Sequence, residues 1–267
     1  MVEFSNEYRL EHWLLEKPQE VSIAIAARAA MRVLPLFDLD ISGDRGGTNF
    51  HKHLLILFRA TNISWATANF YHLGPNFLTA VRPMLAAALK AADNHGLDSF
   101  SLNSARIKPA AEAIRAASAF SSADAARSAR SSVAETAAAT GWKVISIDPA
   151  RIESQESVMD LVEAPLWTRG IPPDRIIRIW HELKTVLLDR NENWQVWTDW
   201  YEARLRGGPV NDALELARVM IPDEIWKQGP AVVNAEIARL IEEHGAKPEL
   251  PMQHATPPTP PLEPGPA

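Results

Sequence analysis

The sequence predicts an all-α fold, a compact domain of about nine helices, and three observations carry that prediction. Apolar residues recur at helical spacing through most of the 267 residues. Proline and glycine interrupt those runs where helices would begin or end. Only Lys143 to Ile147 alternates like a strand, and its sole candidate partner, Leu54 to Phe58, fits a helix better, so both are read as non-strand.

A short amphipathic helix near residues 6–16 opens the chain. Pro18 suits the first turn of a second helix, which runs through Val21 to Leu34 until Pro35 stops it. Leu36 to Asn49, with Asp38, Asp40, Gly43, Asp44, Gly46 and Gly47, reads as a loop. Helices follow from His51 to Tyr71, stopped by Gly74 and Pro75, and from Asn76 to His95, ended by Gly96, with Pro83 as a candidate kink. From Asn103 to Thr140 the chain is alanine-rich, and alanine favours helix strongly while burying little area. Ser121-Ser122 divides this stretch into two helices, and a partly disordered low-complexity segment is the alternative.

Beyond Gly141 the composition changes, and seven of the nine tryptophans lie between Trp142 and Trp226. Pro172-Pro173 open a helix to about Asp189 that carries Ile176, Trp180, Leu183 and Leu187 on one face. Asn193 is placed as the cap of the next helix, which Gly207-Gly208 end, and further helices run from Val210 to Met220 and from Pro230 to His244. Residues 1–245 thus read as a helical domain with possible halves at 1–140 and 141–245 sharing one core. Residues 246–267 hold eight prolines and read as a polyproline tail or linker.

Composition removes several function classes. Without cysteine there is no disulfide framework, thiolate metal site or cysteine nucleophile. Residues 1–150 carry 15 basic and 14 acidic side chains and residues 151–245 carry 11 and 17, with no dense basic run, so nucleic acid is not an expected partner. Met1 to Leu15 lacks the pattern of a secretory signal, and Arg28 and Arg32 break the longest apolar stretch, so a cytoplasmic protein without membrane spans is expected.

The strongest constellation is Trp194, Trp197, Trp200 and Tyr201. On a helical wheel, Trp194, Trp197, Tyr201 and Leu205 share a face with Trp200 and Arg204 at its edge, and Gln195, Asp199, Glu202 and Arg206 lie opposite. The stripe reads as core or as an aromatic groove for a ligand or partner, with Trp200 and Arg204 as its exposed members and Arg204 able to stack on Trp200 or Tyr201. Asp38 to Asn49 resembles a calcium loop but ends in Asn49 where a bidentate Glu is needed, and reads as a solvated loop. His51 and His53 splay apart on a helix, and His72 and His95 lack partners at ligand spacing, so no metal is expected. The glycines at 43, 46 and 47 lack a phosphate-loop ending, and no nucleophile elbow occurs. The adjacent carboxylates Asp223-Glu224 and Glu242-Glu243 do not face each other on a helix, and Asp223 suits a helix N-terminus. Arg28 and Arg32 share a face where they pair with carboxylates of a neighbouring helix or hold an anion. No catalytic residue and no cofactor is assigned.

Several stretches carry a family resemblance: Pro18-Gln19-Glu20-Val21 with Ala26-Ala27-Arg28-Ala29-Ala30, Phe58-Arg59-Ala60, Pro165-Leu166-Trp167, Trp194 to Tyr201 with Arg204-Leu205, and Ile221 to Trp226 leading to Gly229-Pro230 and Asn234 to Ile237. In these the chain up to His244 resembles a group of uncharacterised alphaproteobacterial proteins, Ala/Trp-rich and helical. That group brings no established activity. Its members place this region ahead of varied C-terminal segments, and the Asp/Gly loop is not part of the shared pattern.

Two function classes follow. One is a non-catalytic helical module that binds a protein partner; the other is an enzyme or small-molecule sensor with a pocket in the Trp-rich half. A deep cavity lined by Trp194, Trp197, Trp200 or Tyr201 with Arg204 at its mouth would favour the second, and a flat aromatic patch the first.

Overall fold

A computed structural model of the chain describes Phe4 and residues 6–40, 48–94 and 104–245. The proline-rich segment 246–267 and the centre of the Asp/Gly loop lie outside the described residues. Within them the fold is all-α, with fourteen α-helices, three short 3-10 turns and no strand. Ten of these are long: α1 (Glu7–Leu15), α2 (Gln19–Val33), α3 (Thr48–Asn69), α4 (Pro75–Asn94), α5 (Ser104–Ser118), α6 (Ser122–Thr140), α10 (Asp174–Leu188), α11 (Gln195–Arg206), α12 (Asp212–Val219) and α14 (Pro230–His244). The remaining four, α7 (Trp142–Ile145), α8 (Ile147–Glu153), α9 (Val158–Glu163) and α13 (Asp223–Trp226), are short, and the total of fourteen exceeds the nine expected. One or two turns are too short for a 3.6-residue repeat to register in sequence.

The centre is α2, buried without interruption from Val21 to Val33 and packed by α3, α5, α6 and α9. Its alanines face the alanine-rich α5 and α6, so the backbones approach closely enough for hydroxyl groups to bridge them. Ser132 Oγ donates to the carbonyl of Ala26 at 3.2 Å, and Thr136 Oγ1 to that of Ala29 at 3.1 Å. Those bonds and the burial of Ala125, Ala126, Ala129 and Val133 give this stretch its packing, in place of the low-complexity alternative. Ser121 separates the two helices and accepts from the Asp124 amide as the cap of α6. Pro83 lies inside α4 and does not end it.

Two local expectations are corrected, and the non-strand reading of Lys143 to Ile147 holds. Residues 34–40 form a 3-10 turn and α3 begins at Thr48, so the segment read as a loop is shorter. Lys143 to Ile147 belongs to α7 and the start of α8. Asn193 has a positive φ of 54°, not the extended backbone of a capping residue, and Trp194 takes the cap position without a side-chain bond.

The segment from Leu161 to Leu166 ties the tryptophan-rich half to α2. Arg28 donates to the carbonyls of Leu161, Ala164 and Pro165 at 2.7, 2.9 and 2.8 Å, and Arg32 Nε to that of Leu166 at 3.0 Å. Trp65 Nε1 and the amide of Gly208 serve the carbonyls of Val162 and Glu163 at 3.4 and 2.7 Å. Six consecutive carbonyls therefore find donors outside their own segment, which meets the requirement that buried backbone groups be paired. Gly207 is needed for this approach: its φ is 72°, and a Cβ there would lie 2.5 Å from the nitrogen of Pro165.

Candidate functional site

The tryptophan stripe is interior. Trp197 is fully buried, stacks on Phe58 with ring centres 5.1 Å apart, and donates from Nε1 to Asn234 Oδ1 at 2.8 Å. Tyr201 donates to the carbonyl of Met31 at 3.1 Å with its ring centre 4.3 Å from that of Trp180, and burial pushes its hydroxyl pKa up. Trp194 is buried beside Phe58.

Trp200 and Arg204, expected at an exposed edge, require correction. Trp200 is 4% exposed because α3 and α12 cover that edge: Trp65 meets it edge-on at 6.4 Å, and Glu215 Oε2 accepts from its Nε1 at 3.2 Å. Arg204 is half-buried and lies 4.4 Å over Trp65, on α3, instead of stacking on Trp200 or Tyr201. Burial lowers its pKa, and the nearby Glu215 carboxylate partly offsets that. These rings form neither a flat patch nor a cavity mouth.

Other expected sites resolve as follows. Arg28 and Arg32 hold Asp148 of α8, with Arg32 Nη1 and Nη2 at 2.6 and 2.7 Å from its two oxygens and Arg28 Nε at 3.1 Å. Pairing with a neighbouring carboxylate is thus the arrangement found. Burial alone would raise the Asp148 pKa, but the two guanidinium charges outweigh it and hold the carboxyl at about 2. His51 and His53 lie on α3, and His72 Nδ1 is 3.0 Å from the carbonyl of Asn69. Among the described residues no group of three or more His, Asp or Glu side chains could hold a metal ion, and no helix is long and apolar enough to cross a membrane. The side chains of the Asp38 to Asn49 loop lie outside the described residues.

A cleft of about 540 Å³ lies between α3, α4 and α13. One stripe of α3 lines it, Lys52, Leu55, Ile56 and Arg59, whose i, i+3, i+4, i+7 spacing puts them on one face. The opposite wall is Ala86, Ala87, Lys90 and Ala91 of α4, whose short side chains leave the space open. Trp226, Lys227 and Gly229 border the Arg59 end together with Asp223.

Charge in the cleft is unbalanced. Lys52, Arg59, Lys90 and Lys227 face a single lining carboxylate, Asp223. That carboxylate is already engaged: Oδ1 accepts from Arg59 Nη1 at 2.8 Å, and Oδ2 lies 2.9 Å from Lys227 Nζ. Partial burial pushes the Asp223 pKa up, but the bonds from Lys227 and Arg59 hold it below its ordinary value. Arg59 itself is 5% exposed, with its guanidinium carbon 4.7 Å from the centre of the Trp226 ring. Burial lowers its pKa, and Asp223 opposes that shift. Its Nη2 is buried and has no acceptor. Lys52 and Lys90 form no ion pair with any described residue.

Low-dielectric walls around surplus positive charge concentrate anions. Sequence reading passed over this site because Arg59 and Asp223 are 164 positions apart. The one local signal was Lys52 and Arg59 flanking Leu55 and Ile56 on the same helical face. Comparison with known proteins adds no analogue: no family model, no curated protein and no solved structure matches the chain.

Proposed function

We propose that the chain is a non-catalytic helical binding module, that it works through the cleft between α3, α4 and α13, and that it holds there the anionic part of a partner molecule. The observation that carries this reading is the surplus of cations lining the cleft: Lys52 and Lys90, exposed and without an ion pair among the described residues, beside Arg59 and Lys227, with Asp223 as the one lining carboxylate. The lining supplies charge and apolar area, and its only carboxylate is tied to Arg59 and Lys227, which supports binding over acid–base chemistry. As part of the same proposal we assign the chain to the cytoplasm and to the alphaproteobacterial group it resembles. Arg59 and the run Asp223 to Trp226 both lie in stretches that carry the resemblance.

The test is titration of the full chain with 1-anilinonaphthalene-8-sulfonate, an apolar anion whose fluorescence reports binding. Saturable binding is expected that falls at least about tenfold in the double variant Lys52→Glu, Lys90→Glu, since two charges facing the anion are reversed. Both lysines are exposed, so helix content by circular dichroism is expected to hold. Undiminished binding by the double variant removes the cleft from the reading.

A further inference from the structure

We infer that the cleft takes a single-headed amphiphile, a small molecule with one anionic headgroup held by Lys52 and Lys90 and an apolar tail lying toward Trp226. This rests on the cleft being the binding site proposed above.

Charge along the cleft places the head. α3 and α4 are joined by the short turn at residues 70–74 and pack against each other, so they run antiparallel. Lys52 and Lys90 lie at nearly equal distances along the two helices from that turn, and so at the same end of the cleft. Both are exposed and form no ion pair with any described residue. Asp93, one turn beyond Lys90, is already bonded to Arg115 at 3.1 Å. The opposite end is balanced, since Asp223 and Glu224, the latter 3.6 Å from Lys227, match Arg59 and Lys227. Arg59 Nη2 is itself buried, out of a ligand's reach. One end therefore attracts a negative charge and the other does not. Lysine ammonium groups are point charges without the fork of a guanidinium, so they select the charge of the head and not its shape.

The lining places the tail. Between the two ends lie Leu55 and Ile56 of α3 and Ala86, Ala87 and Ala91 of α4, with no polar side-chain atom among them. The cleft's 540 Å³ falls within the roughly 300 to 1,000 Å³ of small-molecule sites. Its α3 wall runs only from Lys52 to Arg59, about 10 Å at 1.5 Å per residue. A docked helix lays anchors over such a span and needs the groove to continue. Here Arg59 bonds Asp223 and stacks on Trp226, so α13 stands at that end and gives a helix no run-out. An inorganic anion would leave the apolar stretch unfilled.

The experiment is isothermal titration of the full chain with butanoate, octanoate, octanedioate, octyl sulfate, octylamine, inorganic phosphate and a synthetic acidic amphipathic peptide. Octanoate is expected to bind at least about tenfold tighter than butanoate, because each methylene covered by the apolar lining adds to the affinity. Octyl sulfate should match octanoate within about threefold, as point charges require, and octylamine and phosphate should bind more weakly than either. Octanedioate should bind no tighter than octanoate, because its second charge meets a balanced end. The double variant Ala86→Leu, Ala87→Leu fills the apolar stretch from an exposed and a half-buried position, with a good helix former at each. In it the preference for octanoate over butanoate should vanish; the series on the unaltered chain decides the matter even if that variant folds poorly. Equal affinity for butanoate and octanoate overturns the apolar tail, and tighter binding of octanedioate overturns the single head. Tighter binding of the peptide than of octanoate overturns the small molecule. If the fluorescent sulfonate binds in a lysine-dependent way while octanoate binds no better than butanoate, this inference falls and the binding reading stands; if reversing the lysines leaves sulfonate binding undiminished, both fall.

Discussion

Two buried arginine clusters in this molecule start from the same ingredients and end differently. Around Asp148, two guanidinium groups share one carboxylate and also donate to the carbonyls of Leu161, Ala164, Pro165 and Leu166, while Arg28 Nε lies 3.1 Å from Asp148 without a hydrogen bond. Around Asp223, one buried guanidinium and one exposed lysine share one carboxylate, the lysine lies also 3.6 Å from Glu224, and Arg59 Nη2 meets no backbone carbonyl. The first cluster carries surplus positive charge, which backbone dipoles absorb, and it becomes a joint between the alanine-rich and tryptophan-rich halves. In the second, Asp223 and Glu224 match Arg59 and Lys227, and the surplus comes from Lys52 and Lys90 across the cleft. An unmatched buried donor occurs in both clusters, so what separates them is what they adjoin: packed backbone carbonyls in the first, an open lysine-lined cleft in the second.

The sharpest way to break this comparison is Asp148→Asn. Removing the charge leaves Arg28 and Arg32 facing each other in the interior, and loss of one partner from a buried ionic cluster costs about 3 to 5 kcal/mol. Urea denaturation followed by circular dichroism should show that loss. A cost below about 1 kcal/mol would make the Asp148 cluster equivalent to an exposed pair and erase the distinction.

Next in size is Trp200→Ala, at about 3 kcal/mol or more from the cavity and the lost bond to Glu215, which keeps Asn62 and Arg218 as partners. Its cost should approach that of Trp197→Ala in the same assay, since both rings are buried and each donates to a buried acceptor. A Trp200→Ala variant as stable as the parent chain would return Trp200 to the surface and reopen the aromatic stripe as the binding site.

Acid should separate the clusters as well. The Asp148 carboxyl titrates at about 2 in the folded chain against an ordinary 3.8, so the unfolded chain takes up its proton first. The stabilisation is full above the ordinary value and is lost as pH falls from about 4 toward 2, on the order of 2 kcal/mol. Asp223 shifts in the same direction, but its partial exposure to solvent weakens the effect. Denaturation midpoints at pH 5 and pH 2.5 should therefore converge for Asp148→Asn relative to the parent chain, and should stay apart for Asp223→Asn.

How much of this was legible depended on distance along the chain. The long helices showed because each repeats its own apolar spacing, as Ile176, Trp180, Leu183 and Leu187 do on the buried face of α10. That Arg28 and Arg32 pair with a carboxylate could be reasoned from two charges on an apolar helix. Which carboxylate could not, because Asp148 is 116 positions from Arg32 in a helix too short to announce itself. Trp200 was misjudged for a related reason: a helical wheel knows only its own helix, and the ring's covering comes from Trp65 and Glu215 on two others. The cleft needs three elements at once, of which one stripe, Lys52 to Arg59, was visible, and it looked like an ordinary half-buried helix face.

The smallest effect on stability is expected where the effect on binding is most telling, at Asp223→Asn. The amide oxygen can still accept from Arg59, and the lost pair with Lys227 is exposed, so stability should fall by about 1 kcal/mol or less. The cleft, however, loses its only lining carboxylate, and Arg59, Lys52 and Lys90 then act on a bound anion with Glu224, 3.6 Å from Lys227, as the remaining nearby acid. Removing one negative charge at that range should tighten binding of 1-anilinonaphthalene-8-sulfonate by roughly threefold, an effect that shrinks as salt is raised. The same chemical change would thus cripple one cluster and sharpen the other. Weaker sulfonate binding by Asp223→Asn would instead mean that Asp223 organises the cleft for its ligand, and the cluster at Arg59 would then belong with the one at Asp148, as structure.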